Sequence, residues 1–390
     1  MIDKTPTTHD TRFAAIGLLP GPAGAFLLPP ASTEAAEALA RGAFDQLPES
    51  WAFIAELADG QTPQLDDAFN RAVMTGDAEA LDPFLGDTDP DFRAHSAAVA
   101  FRLGGDVDVP MPDPSLDPRV AAFVLATRAH HTGDVEQLRE AAEITRSISP
   151  CASARYLGEA AAISAPDHRT LMDLQTAADL LDGLGFESLR GELLMNAADI
   201  TMAMGAERPT LLQQAVLLLQ KATQALPRRA HPVPYAVCHM NIAVAYLSMP
   251  MGEHSGKLRG AIAVQSLREA LEILTPEDHP ELWESATLNL ANALQHLPSA
   301  HPGQNLAESV ELYDKVLERR TTATPARART LASKANALAH IGKLDDAKPL
   351  LAEARTIFTE VGDDAGLTGI DAIADEMVAC VERARGTDNG

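Results

Sequence analysis

The sequence predicts an all-α protein made of successive helical hairpins, and three observations carry that prediction. Apolar residues make up 46% of the chain and aromatics only 4%, so the buried residues are mostly Ala and Leu, which suit close-packed helices better than sheets. Beyond Ala31, segment after segment repeats apolar residues at helical spacing and then breaks, without a succession of period-two strands. Small residues also recur in step: Ala198, Ala243, Ala291 and Ala335 stand 45, 48 and 44 residues apart, the self-similarity of a repeat architecture.

Residues 1–33 come first. Pro6, Pro20, Pro22, Pro29 and Pro30 break the segment, and Asp3 and Asp10 precede its apolar stretch. A secretory signal needs a basic start and an unbroken apolar centre, so an irregular arm is expected here. Helices follow near 34–43, 49–58, 63–75 and 90–103, separated at Gly60, Gly76 and Gly86-Asp87. This makes 34–105 a set of degenerate repeats or a small helical domain. Pro110, Pro112, Pro114 and Pro118 in an Asp-rich run mark the best internal boundary. Beyond it lie degenerate hairpins over 119–185, with helices near 119–132, 134–148, 152–164 and 167–183 and breaks at Gly133-Asp134 and Pro150.

The pattern then becomes more regular. Helices are expected near 187–204, 209–226, 234–248, 258–274, 281–297, 305–320, 326–341 and 344–361, with a last one at 365–384 forming a C-terminal cap and tail over 362–390. Residues 249–257 and 298–304 read as long loops that share one rim. The partner helices carry a second landmark in the strings that end at Ala222, Ala270, Val316 and Ala354, where Leu219, Leu267, Tyr313 and Leu351 stand three residues earlier. Small residues at both landmarks allow antiparallel helices to approach closely.

The last copy, with Ala335 at a small position, Leu338 at a large one, Gly342 at the turn and Ala347, Leu351 and Ala354 on the second helix, resembles the tetratricopeptide repeat (TPR). Leu271-Glu272-Ile273-Leu274-Thr275 followed by Pro280-Glu281-Leu282-Trp283 looks like a longer-looped bacterial subtype. The resemblance covers residues 186–361. It implies a right-handed α-solenoid of antiparallel hairpins whose inner surface holds a protein or peptide partner, and it does not imply catalysis.

Charge and motifs narrow the function further. The chain has 55 acidic and 31 basic residues, a net charge of −24, which disfavours general nucleic-acid binding and attraction to anionic lipid. No run approaches the roughly 18 apolar residues of a membrane-spanning helix. Cys151, Cys238 and Cys380 are too few and too scattered for a disulfide framework, and a cytoplasmic location fits. The sequence lacks a His-Glu-x-x-His string, a phosphate loop and a Gly-x-Ser-x-Gly elbow. Glu284, Asp314 and Glu318 are carboxylates of the kind any acidic chain contains. His130-His131 are adjacent and do not share a helix face. No cofactor or metal is expected.

The candidate partner-binding residues are Asn241, Asn289, Asn292, Asn336, His296, His340 and Arg329, all on first helices of hairpins. An amide both donates and accepts, so it satisfies an extended backbone without demanding a side chain. In the family resembled, Asn292 and Asn336 match a position that holds a partner's backbone. The competing reading is that these amides bridge neighbouring helices. The function expected is a cytoplasmic adaptor or regulatory scaffold presenting a concave groove to a protein or peptide, with a basic binding segment favoured by the chain's charge. The alternatives are an enzyme with its site in the N-terminal half and a self-assembling structural subunit.

Overall fold

The computed structural model describes residues 34–40, 43–58, 63–65, 67–205, 208–250, 253–296 and 302–387, together with 13–14 and 27–28. The protein is all-α and consists of two compact units, Met1–Met204 and Gly205–Gly390. Unit 1 contains α1 (Glu34–Ala40), α2 (Ala52–Ala58), α3 (Ala68–Thr75), α4 (Pro90–Arg102), α5 (Pro118–Thr132), α6 (Val135–Thr145), α7 (Pro150–Ala162), α8 (His168–Leu180) and α9 (Glu187–Met204). Unit 2 contains α10 (Pro209–Ala225), α11 (Pro232–Ser248), α12 (Glu253–Leu271), α13 (Pro280–His296), α14 (Pro302–Arg319), α15 (Pro325–His340), α16 (Leu344–Val361) and α17 (Asp364–Thr387). In the N-terminal arm, Phe13–Ala14 pairs antiparallel with Leu27–Leu28, and the rest of residues 1–33 lies outside the described residues.

Many of the chain's 26 prolines sit where a missing N–H costs nothing. Among the described helices, α4, α5, α7, α10, α11, α13, α14 and α15 begin on proline, the first helical position, whose N–H has no partner within the helix. Aspartates cap several starts. Asp67 Oδ1 accepts from the Asn70 amide at 2.8 Å and Asp167 Oδ1 from the Thr170 amide at 2.8 Å, and such caps stabilise by about 1 kcal/mol each. At the other end of α15, Gly342 adopts φ 82°, and the amide of Lys343 returns to the Leu338 carbonyl at 2.9 Å. That left-handed stop excludes most side chains.

Two expectations need correction. The long loops are shorter than the sequence suggested, because α12 starts at Glu253 and α14 at Pro302. Residues 253–257 and 302–304 are therefore helical, while 251–252 and 297–301 lie outside the described residues. Gly256, which reads as a turn residue, is buried inside α12, and Pro302 starts α14 rather than interrupting it. The stretch Glu79–Phe84 forms a 3-10 helix with Pro83 inside it, which apolar spacing does not reveal.

Consecutive helices of unit 2 pack as hairpins, α11 with α12, α13 with α14 and α15 with α16. The first helices also touch one another, α11 with α13, α13 with α15 and α15 with α17, so they stand side by side as one wall. Ala243, Ala291 and Ala335 are fully buried in unit 2, as is Ala198 in unit 1, and so are Ala222, Ala270, Val316 and Ala354 of the second landmark. The structure adds a third landmark seven residues before the second, at Ala215, Ala263, Ser309 and Ala347, also fully buried. Across one hairpin the closeness is explicit: the buried Ser309 hydroxyl donates to the Ala291 carbonyl at 2.9 Å.

Unit 1 uses close approach as well. A Cβ built on Gly158 of α7 would meet Leu193 Cδ2 of α9 at 2.9 Å. Its core differs in being aromatic: Phe69, Phe84 and Phe92 pack at centroid distances of 5.5 to 5.7 Å. His95 lies between Phe69 and Phe123, at 5.4 and 5.1 Å. Asp91, also buried, accepts from the Asp117 amide at 2.7 Å and so ties the start of α4 to the cap of α5.

Two outcomes follow from this packing. Ala291→Phe should lower stability by about 1 to 3 kcal/mol through overpacking, and a thermal unfolding curve identical to wild type would contradict the assigned contact. Burial, with Arg102 nearby as a lesser cause, pushes the His95 imidazole down to about 3. The native ring is therefore neutral at pH values where the unfolded ring, near 6.5, binds a proton. Stability should be unaffected by this group above pH 6.5 and fall as pH drops below it, by about 2 kcal/mol at pH 5. Urea unfolding of wild type and His95→Leu at pH 7.5 and pH 5 checks this: the variant should lose less stability than wild type over that range.

Candidate partner-binding wall

Counting from the buried alanines of α11, α13 and α15, four positions per helix turn away from the hairpin core. They lie six and two residues before the alanine and one and five after it. In α11 these are Val237, Asn241, Val244 and Ser248, in α13 Ser285, Asn289, Asn292 and His296, and in α15 Arg329, Ser333, Asn336 and His340. All twelve are exposed or half-buried. Spacings of four, three and four place each set on one helix face, and the direct contacts between first helices put the three faces on one wall. The structure thus brings all seven sequence-predicted residues into one surface register.

Not all of them are idle there. The Tyr313 hydroxyl of α14 lies 2.6 Å from Asn292 Oδ1 and 2.9 Å from Gln295 Oε1. A phenol has one proton, so it donates to Asn292; an amide orientation in which Gln295 donates back to the phenol oxygen satisfies both contacts. Burial pushes the Tyr313 phenol up to about 12, with Ser309 and Ser333 beside it opposing the shift. Asn292 therefore bridges two helices, the structural reading, although the residue as a whole is exposed. Arg329 reaches Asp363 at 2.8 Å, which ties α15 to the segment before α17. Asn289 is half-buried, and the Oδ1 of half-buried Asn336 has no hydrogen-bond partner among the described residues.

Further polar ties hold the wall's backing in place. Arg320 at the end of α14 donates through Nε to Glu284 at 2.7 Å and through Nη1 to Thr330 at 2.8 Å, which joins α13, α14 and α15. Lys334 pairs with Asp314. Glu284 and Asp314 are thus engaged in packing. The sequence did hold a signal for the Tyr313 cluster: Tyr313 occupies a landmark filled by Leu219, Leu267 and Leu351 in the other copies, and a phenol in a core position needs a partner.

Histidines elsewhere have separate surroundings. His130 Nε2 lies 3.0 Å from Glu159 Oε2, whereas its neighbour His131 meets the edge of Phe101 at 5.1 Å. His239 packs on Tyr235 at 4.5 Å, and burial lowers its basicity. Among the described residues no three His, Cys, Asp or Glu side chains group as metal ligands, and no helix is long and apolar enough to cross a membrane. Cys151 and Cys238 are buried and form no disulfide.

No family model matches the chain, and no curated protein matches it. Among solved structures it is similar to a Podosopora anserina protein described as "putative kinesin light chain nearly identical TPR-like repeats" and to a point variant of that protein. The variant is 21% identical, covering 61% of this chain and 93% of that one with a TM-score of 0.36. The other is 19% identical, covering 63% and 96% with a TM-score of 0.32. The architecture of antiparallel helical hairpins described above rests on this chain's own helix contacts.

The bridging role of Asn292 has a measurable consequence. Tyr313→Phe and Asn292→Ala should each destabilise by about 1 kcal/mol. A double-mutant cycle in urea should return a coupling of roughly 0.5 to 1 kcal/mol, whereas full additivity would contradict the bond.

Proposed function

We propose that this protein is a protein-binding adaptor or scaffold, and that the wall formed by α11, α13 and α15 seats an extended segment of a protein or peptide partner. The observation that supports the reading is the in-register row of Asn241, Asn289, Asn292 and Asn336 with Ser248, Ser285 and Ser333, ended by His296 and His340. Amides and hydroxyls at a regular spacing along a rigid wall pair with a peptide backbone in either sense, donor or acceptor. A preformed wall also avoids part of the ordering cost of binding.

Charge refines the partner. The chain's −24 favours a partner with basic residues, yet none of the twelve wall positions is Asp or Glu. A Lys or Arg seated directly on them would lose its water without meeting a carboxylate. Basic residues therefore flank the seated segment, where they meet the exposed carboxylates of the second helices, such as Glu311, Glu318, Asp345 and Glu360. Two buried cysteines outside any disulfide suit a cytoplasmic setting.

The test is to recover the partner from native lysate on the full chain and titrate it calorimetrically. Asn289→Ala and Asn336→Ala each remove a donor and an acceptor without touching the Tyr313 cluster. Each should weaken binding by about 1 to 3 kcal/mol, or roughly fivefold to more than a hundredfold, and raised salt should slow association. Wild-type affinity in both variants would overturn the wall as the seat.

A further inference from the structure

We infer that the cavity between α6, α7 and α8 of unit 1 is a binding site for a phosphate-type oxyanion, separate from the wall of unit 2. The cavity measures about 210 Å³, small for a drug-sized ligand and sufficient for one tetrahedral anion. Three helix faces converge on it. Arg139 comes from α6 and Arg146 from the residue that caps its end, Ser153 from α7, and Arg169 and Thr176 from α8. Its lining carries three guanidinium groups with the carboxylates of Glu143 and Asp173, and Glu136 beside it pairs with two of the three, so the charges balance and an anion is held there by directed N–H donors rather than by an excess of positive charge.

The three arginines are not equally occupied. Arg139 donates through Nε to Asp173 at 2.8 Å and through Nη1 to Glu136 at 2.7 Å, so it supplies a fixed side of the cavity. Arg169 donates through Nη2 alone, to Glu136 at 2.8 Å. Arg146 makes one long contact, Nη1 to Glu143 at 3.4 Å, between two exposed side chains. A guanidinium has five N–H donors in a planar fork, so Arg146 and Arg169 retain most of theirs for a ligand. The hydroxyls of Ser153, on a buried residue, and Thr176 add short-range donors. Planar forks from two directions with hydroxyls beside them suit the oxygens of a phosphate, which accept two bonds from one guanidinium. The ion pairs of Arg139 and Arg169 also fix α6 against α8, so the cavity is held open before a ligand arrives.

The oxyanion has two sources, free phosphate or a phosphate ester on a larger molecule, and two arms of one experiment distinguish them. The full chain is unfolded thermally in rising inorganic phosphate, with sodium chloride at matched ionic strength as the control, and again in rising O-phosphoserine. Inorganic phosphate should raise the melting temperature saturably and beyond chloride. Arg146→Gln, a change at an exposed side chain, should move the half-saturation concentration upward by about tenfold or more, and Ser153→Ala should move it upward by a few-fold. Tighter action by O-phosphoserine than by inorganic phosphate assigns the site to an ester, and the reverse assigns it to the free anion. Equal effects of phosphate and chloride, or an unchanged half-saturation concentration in both variants, would overturn the proposal.

Discussion

The structure of unit 2 depends on how closely two helices can approach within a hairpin. Small residues face one another at that approach, with Ala291 opposite Ser309, while Ala243 and Ala263 share one core cluster and Ala335 and Ala347 another. The connecting segments between these residues differ in length, yet the contact recurs. Once the approach is fixed, helical periodicity alone decides which positions turn outward, and the wall follows from it. A bulky residue at a landmark would separate the helices and misalign the wall, so the hairpin packing and the alignment of the outward faces are set by the same side chains.

The chain distributes its polarity unevenly around that frame. Helices α11 and α15 contain no Asp or Glu, whereas α14 contains Glu308, Glu311, Asp314 and Glu318. An acidic chain thereby keeps a hydrogen-bonding wall that is close to neutral. Carboxylates therefore concentrate on helices such as α14, and amides and hydroxyls on the faces of α11, α13 and α15. Where polar groups enter the packing they are tied across elements, as in the Tyr313 cluster and the Arg320 pairs.

Helix order was legible because caps, Pro at first positions and helical apolar spacing agree locally, from Asp89-Pro90 to Thr324-Pro325. Glycine and proline are ambiguous signals around Met249 and Pro298: Gly256 is buried within α12 and Pro302 opens α14, although both residue types also mark loops. The seven candidate residues of the wall were legible from periodicity, but their engagement was not. Asn292 to Tyr313 and Arg329 to Asp363 span 21 and 34 positions, and such pairings depend on which helices become neighbours. The arginine cavity was hidden for the same reason. Arg139, Ser153 and Arg169 lie on three helices, and only the folded chain brings their faces together.

The central claim is that one small-residue register sets the first helices side by side, so that equivalent positions form a single wall. Spin labels at Ser248 and His340, both five residues after a landmark alanine and exposed, test it most directly by pulsed electron resonance. Two interhelical steps of roughly 10 Å predict one narrow distance distribution centred near about 20 Å. A broad distribution, or a narrow one well beyond about 30 Å, would contradict the register and the wall built on it.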